Sequence, residues 1–208
     1  YHKLFRLELG SNNLDHKNYL DTPGLPVDHY DFLNIETANL VLLVGSDPSE
    51  ELPILDLRIK KAVTRKGVKL AILNDQRTEL DRFADLSLRY DVGADGAALA
   101  TLANGLAEKL DMALVEGSPT GKSRNGVAPN QMKKMVGLIR TAMKVCVVYN
   151  PASLTGASIH MLKHLLTVID KIPTIECGAI PAAPFTNSVG AMDMGILPDY
   201  YPGGIPTS

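Results

Sequence analysis

Leu40-Val41-Leu42-Leu43-Val44-Gly45-Ser46-Asp47-Pro48-Ser49-Glu50-Glu51-Leu52-Pro53-Ile54-Leu55-Asp56-Leu57-Arg58 is the stretch that decides the fold. Its first five residues form a continuous apolar run with β-branched members, ended by glycine. Such a run predicts a strand buried on both faces, as in a parallel sheet. Gly45 permits a turn that other residues resist. Asp47 and Ser49 are candidate N-caps, and Pro53 suits a first helical turn. Leu55, Ile59, Ala62 and Val63 recur at helical spacing, and Gly67 predicts a C-terminal cap. Val68 to Leu73 is the next strand. The stretch therefore opens a βαβ unit, with its turn at the carboxyl end of the first strand.

Open α/β sheets bind ligands at that end, where a helix start offers free N–H groups to phosphate. The charges here argue otherwise. Glu50 and Glu51 fall in the first turn, with Asp47 just before them. Three carboxylates satisfy the positive end of a helix internally and repel a pyrophosphate. The Gly-rich spacing of a dinucleotide fingerprint is absent, since only one glycine is present. On these residues alone the stretch reads as a self-capped structural turn in preference to a phosphate cradle.

The rest of the chain repeats the alternation. Tyr1 to Gly10 predicts an amphipathic helix, and Leu14 to Asn34 is loop-rich. Ala84 to Arg89 is a short alternating strand, and Asp95 is a candidate N-cap for an Ala/Leu helix over Ala97 to Leu110. Pro129 opens a helix, Val145 to Tyr149 is a buried strand, Thr155 to Ile169 a helix, and Pro173 to Cys177 the last strand. The expected class is α/β, a doubly wound, mostly parallel sheet with helices on both faces. The expected organisation is an N-terminal helix and loop over 1–36, cut from a longer chain; a first βαβ lobe over 37–116; a linker over 117–126; and a second α/β lobe with a Pro/Gly tail over 127–208.

Composition removes several function classes. The net charge is -2 with no basic block, and the 7 tyrosines and 4 phenylalanines are scattered, so nucleic-acid binding has no support. No apolar run approaches membrane-spanning length, and no signal peptide is visible. Cys146 and Cys177 are far apart, follow no metal-type spacing and read as buried thiols, with a disulfide disfavoured in a reducing compartment. Gly117-Ser118-Pro119-Thr120-Gly121-Lys122-Ser123 resembles a P-loop but is one residue short and follows a helix, so it reads as a linker. His160 and His164 share a helix face but lack a third metal ligand. Asn74-Asp75, closing the second strand, stands where an acid meets a ribose or base in nucleotide-binding folds; the alternative is a capped loop leading to Asp81.

Three blocks together carry a family resemblance: Gly45-Ser46-Asp47-Pro48 with Pro53; Gly93-Ala94-Asp95-Gly96-Ala97-Ala98-Leu99; and Asn187-Ser188-Val189-Gly190-Ala191-Met192-Asp193-Met194-Gly195. Asn12-Asn13-Leu14-Asp15-His16 adds to them. In order and spacing they resemble the molybdopterin oxidoreductase superfamily over nearly the whole chain. Within it, Glu50 to Arg58 is similar to the large iron–sulfur (G-type) subunits of NADH:quinone oxidoreductase, respiratory complex I. The resemblance implies a domain with no cofactor and no catalytic or metal-ligating residues of its own. It also implies iron–sulfur clusters elsewhere in the intact subunit, partner subunits in a peripheral arm, and a place on the cytoplasmic side of the membrane. The alternative is the guanine-dinucleotide-binding half of a molybdenum enzyme such as a formate dehydrogenase. Gly45, Ser46, Asp47, Asp75, Gly93 and Asp95 would then line the nucleotide end of the pterin cofactor. Two departures bear on that alternative: Asp47 stands where the family usually has Asn, and Val92-Gly93-Ala94-Asp95 replaces a usual Pro-Gly-Thr-Asp.

Overall fold

The computed structural model describes residues 3–14, 25–108, 110, 126–154, 156–182, 190–191, 194–196, 200–202 and 205–206. The P-loop-like segment Gly117 to Ser123 and most of Asn187 to Gly195 lie outside them. Two compact units are formed, Tyr1–Pro23 with Ala183–Ser208, and Gly24–Ala182.

In the first unit, Leu4–Glu8 makes a single π-helical turn. The longer amphipathic helix expected from Tyr1 is not what forms among the described residues. Leu4 and Leu7 are exposed, so no apolar face is buried, and Gly10 at φ +62° ends the segment. The Arg6 guanidinium lies 4.7 Å above the Tyr201 ring.

The second unit holds a six-stranded sheet. Its elements are β1 (Asp28–His29), α1 (Phe32–Thr37), β2 (Leu40–Val44), α2 (Pro48–Glu51), α3 (Pro53–Lys66), β3 (Lys69–Asn74), a 3₁₀ turn (Glu79–Phe83), β4 (Leu86–Arg89), α4 (Asp95–Ala107), α5 (Pro129–Arg140), β5 (Lys144–Tyr149), α6 (Gly156–Asp170) and β6 (Glu176–Pro181). In the first unit β7 (Tyr200–Tyr201) and β8 (Ile205–Pro206) form a small antiparallel ribbon. The large sheet runs β1-β6-β5-β2-β3-β4, and every pairing in it is parallel.

All five residues of β2 are buried because both faces of the sheet are covered. Leu40, Leu42 and Val44 pack with Val145, Val147 and Tyr149 against α4, α5 and α6. Val41 and Leu43 pack with Cys146 and Val148 against α1 and α3. The doubly wound α/β arrangement is thus the observed one. Gly67 ends α3 at φ +70° as a left-handed cap.

Three local readings are corrected. Asp31 caps an unforeseen helix, α1, accepting from the N–H groups of Leu33 at 2.8 Å and Asn34 at 3.1 Å. The last strand starts later and runs to Pro181, because Gly178 does not break it. A Cβ there would lie 2.3 Å from the Tyr30 ring, so only glycine lets that ring lie flat on the sheet. Tyr30 then donates to Glu176 at 2.6 Å, and Lys144 pairs with Glu176 at 2.8 Å. Finally, Asp95 is the first residue inside α4, not its cap. Gly93 at φ +78° closes the preceding turn, and the Ala94 carbonyl accepts the first helical bond, from Ala98.

Cys146 and Cys177 are both free and buried. Cys177 opposes Val145 across the β5–β6 ladder and Cys146 opposes Gly178. The one-residue offset puts the two thiols on opposite faces of the sheet. Burial pushes each up to about 12.

Candidate functional site

The order of the strands locates a switch point. The chain leaves β2 toward β3 on one side and leaves β5 toward β6 on the other, while β2 and β5 lie side by side. Ligands of open α/β sheets bind in the crevice outside the carboxyl ends of two such strands. Here the crevice is bounded by Gly45-Ser46-Asp47 after β2 and Asn150-Pro151-Ala152-Ser153 after β5, with Asn74-Asp75 after β3.

These loops are tied to one another by buried polar side chains. Ser46 is 1% exposed, Asn150 6% and Asn74 5%. The Ser46 hydroxyl donates to Glu51 Oε2 at 2.7 Å, and Asn150 Nδ2 donates to Glu51 Oε1 at 2.6 Å. One carboxylate thus clasps the loops on both sides of the switch point through short, charge-assisted bonds. Asn74 Nδ2 donates to the Ser46 carbonyl at 3.2 Å, and Asn150 Oδ1 accepts from Ala152 N–H at 2.8 Å. The Ser153 hydroxyl donates to the Gly45 carbonyl. Gly45 itself, at φ +55°, has no room for a side chain: a Cβ would meet Leu154 Cδ2 at 3.0 Å and Ser153 Oγ at 3.2 Å.

The three carboxylates of the opening stretch therefore do different things. Asp47 caps α2, accepting from Ser49 N–H at 3.2 Å and its hydroxyl at 2.6 Å. Glu50 is exposed. Glu51 turns back into the crevice, which sequence reading did not foresee. Ser49, the other candidate cap, lies inside α2.

A cavity of about 200 Å³ opens beside the clasp, lined by Gly45, Ser46, Asp47 and Glu51 from one loop and by Asp75, Arg77, Thr78 and Ser153 among others. Of the six expected site residues, Gly45, Ser46, Asp47 and Asp75 meet there, and Gly93 and Asp95 are not in its wall. The link to Asp95 is Tyr90, whose hydroxyl lies 3.4 Å from where a Gly45 Cβ would be. Burial pushes the Tyr90 phenol well above its ordinary value, and the Asp75 and Asp95 carboxylates add to the effect. The Asp75–Thr78 wall is held from below by Asp81, which accepts from Thr78 N–H at 2.6 Å and pairs with Ser87 and Arg89. Burial works against the Asp81 anion, but those bonds outweigh it and hold the carboxyl below the usual range. A larger cavity, about 250 Å³, lies at the opposite, amino ends of β2, β3 and β5, around Asn39, Lys66 and Lys69, and no carboxylate lines it. No group of three or more metal-ligating side chains occurs among the described residues, and His160 is exposed on α6 with His164 half-buried.

Residues 4–196 match the molybdopterin oxidoreductase family. The chain belongs to that family. A probable oxidoreductase of Bacillus subtilis, YjgC, is 26% identical over 97% of the chain and 24% of the relative. A G-type NADH-quinone oxidoreductase subunit of Rhizobium meliloti is 24% identical over 98% of the chain and 25% of the relative. Formate dehydrogenases are also among the relatives of this molybdopterin oxidoreductase domain. The chain thus spans about a quarter of the length of the relatives it matches. Among solved structures, the formyltransferase/hydrolase complex of Methylorubrum extorquens shares the fold. The TM-score is 0.59 at 15% identity, covering 88% of this chain and 49% of that one.

The guanine dinucleotide that the family resemblance implies would bring a phosphate to this turn, and the residues there do not fit one. Glu51 would have to give up both its bonds, and Ser153 and Leu154 already cover Gly45. Among the described residues no helix is long and apolar enough to cross a membrane.

Proposed function

We propose that this molybdopterin oxidoreductase domain is a structural part of the large iron–sulfur (G-type) subunit of an NADH:quinone oxidoreductase, respiratory complex I. On this reading its own crevice carries no pterin. Electrons pass from NADH toward quinone through iron–sulfur clusters held elsewhere in the subunit. The domain packs among the other subunits of the peripheral arm, on the cytoplasmic side of the membrane. The observation that carries the reading is the Glu51 clasp, which sets a fixed negative charge where a cofactor phosphate would approach. The alignment of a G-type relative with 98% of the chain supports it.

A second reading draws on the formate dehydrogenase relatives and on Asp75 and Gln76 in the cavity wall. It makes the domain the guanine-dinucleotide-binding half of a molybdenum enzyme, and it requires Glu51 to leave the crevice. Metal and pterin analysis of the full-length protein, purified with its iron–sulfur clusters intact, separates the two. The first reading expects molybdenum, tungsten and pterin far below stoichiometric amounts. Stoichiometric molybdenum with pterin overturns it.

A further inference from the structure

We propose that Glu51 is a built-in ligand of the switch-point crevice, an intramolecular carboxylate whose removal turns the crevice into a binding site for small free carboxylates. The inference deepens the reading of a cofactor-free domain and rests on it.

The geometry is that of a bound anion with a covalent tether. Each oxygen of Glu51 takes one short bond, from Ser46 at 2.7 Å and from Asn150 at 2.6 Å. Both donors are more than nine-tenths buried. Neither side chain is free to turn toward water. The other polar atom of Asn150 is engaged by the Ala152 N–H, which fixes the amide plane and aims Nδ2 at the carboxylate. The Ser46 backbone is fixed by Asn74. A donor pair set in this way and deprived of its acceptor is left unpaired in a buried place, which is strongly unfavourable. An acetate or formate ion carries the same two oxygens at the same spacing and can restore both bonds, whereas chloride is a single, larger acceptor that both donors would have to meet at one point instead of at two separate oxygens. The cavity beside the clasp gives such an ion a route in. The tether has a further effect. A ligand that is part of the chain is present at a fixed effective concentration, so an external anion competes with it only at a large disadvantage.

The test uses the full-length polypeptide and hydrogen exchange read at peptides covering 40–52 and 145–154. In Glu51→Ala these segments should exchange several-fold faster than in the wild type. Acetate, titrated at constant ionic strength against chloride, should slow them again, while the wild type should show no acetate-specific change. Exchange in Glu51→Ala that ignores acetate, or that responds equally to chloride, overturns the proposal. Should Glu51→Ala fail to fold, Glu51→Gln fills the space and can keep both contacts, its oxygen accepting from Asn150 and its NH2 donating to the Ser46 hydroxyl. With the site occupied it should gain nothing from acetate; exchange in it that acetate slows and chloride does not overturns the proposal. Metal analysis of the wild type is read separately. A molybdenum-free wild type with no acetate response in the variant refutes the built-in ligand and leaves the functional reading in place, while stoichiometric molybdenum refutes the functional reading itself.

Discussion

Replacing Asn150 by Asp keeps the shape of the side chain and turns one donor of the clasp into a second carboxylate. The reacting atoms are 2.6 Å apart in the native geometry. Two unit charges at that distance repel by about 6 kcal/mol at an effective dielectric of about 20. Protonating a carboxyl of ordinary acidity at pH 7 costs about 3.7 kcal/mol, from a reference value of about 4.3. The smaller term wins, so the pair binds a proton, and its folded pKa is raised. The sign follows from linkage. A raised acid leaves stability intact below the unfolded value near 4 and removes about 1.4 kcal/mol for each pH unit above it, until the folded value is passed. Asn150→Asp should therefore be about 4 kcal/mol less stable than wild type at pH 7 and only about 1 kcal/mol less stable at pH 5. Urea unfolding of the full-length polypeptide at both pH values measures this, with Asn150→Ala as the uncharged control. A deficit that is the same at pH 5 and pH 7, or that stays under about 0.5 kcal/mol at pH 7, refutes the geometry from which it was worked.

Gly178→Ala should cost about 2–3 kcal/mol by driving the Tyr30 ring off the sheet, the order of one lost aromatic burial, and the cost should largely vanish in a Tyr30→Ala background; additive effects in the double-mutant cycle would count against the contact. Asp81 is an acid held below its ordinary value, so its contribution is present above the unfolded value near 3.9 and is lost as the pH falls through the folded value. Asp81→Asn should lower stability at neutral pH by about 1.5–3 kcal/mol and remove that part of the acid loss, which acid titration of the unfolding midpoint reads directly.

What could be read from the residues alone depends on how local each signal was. The β2–Gly45–α3 passage was legible because an apolar run, a left-handed glycine, a cap and a helical stripe stand in one stretch, each agreeing with the next. β5 and α6 were legible on the same grounds. β1 was not, since two residues on a sheet edge carry no periodicity. α1 announces itself only by Asp31, amid the prolines and glycine that mark the neighbouring segment as loop. The true end of β6 was hidden because a glycine inside a strand reads as a break unless one knows that Tyr30 lies on it. The crevice divides in the same way. Gly45, Asp47 and Asp75 stand at strand ends where the residues themselves mark turns, while Ser46, and the grouping of these residues as one site, came from the family resemblance. The partnership of Glu51 with Asn150 could not be named, because the two are 99 residues apart and meet only once β5 is known to lie beside β2. A charge read as capping its own helix turned out to be spent across the sheet.

The staggered pair of cysteines has a practical consequence. Because each sits under a different helical layer, alkylation can serve as two independent clocks built into the native chain. A reagent reaching Cys146 reports that the α1–α3 layer has lifted, and one reaching Cys177 reports the α4–α6 layer. Both thiols are kept protonated in the native state, so neither clock runs until its own layer opens. Mass spectrometry of pulse-labelled protein would then give the order in which the two faces of the sheet come apart. Oxidation cannot blur the reading by joining the two sulfurs, since the whole sheet stands between them.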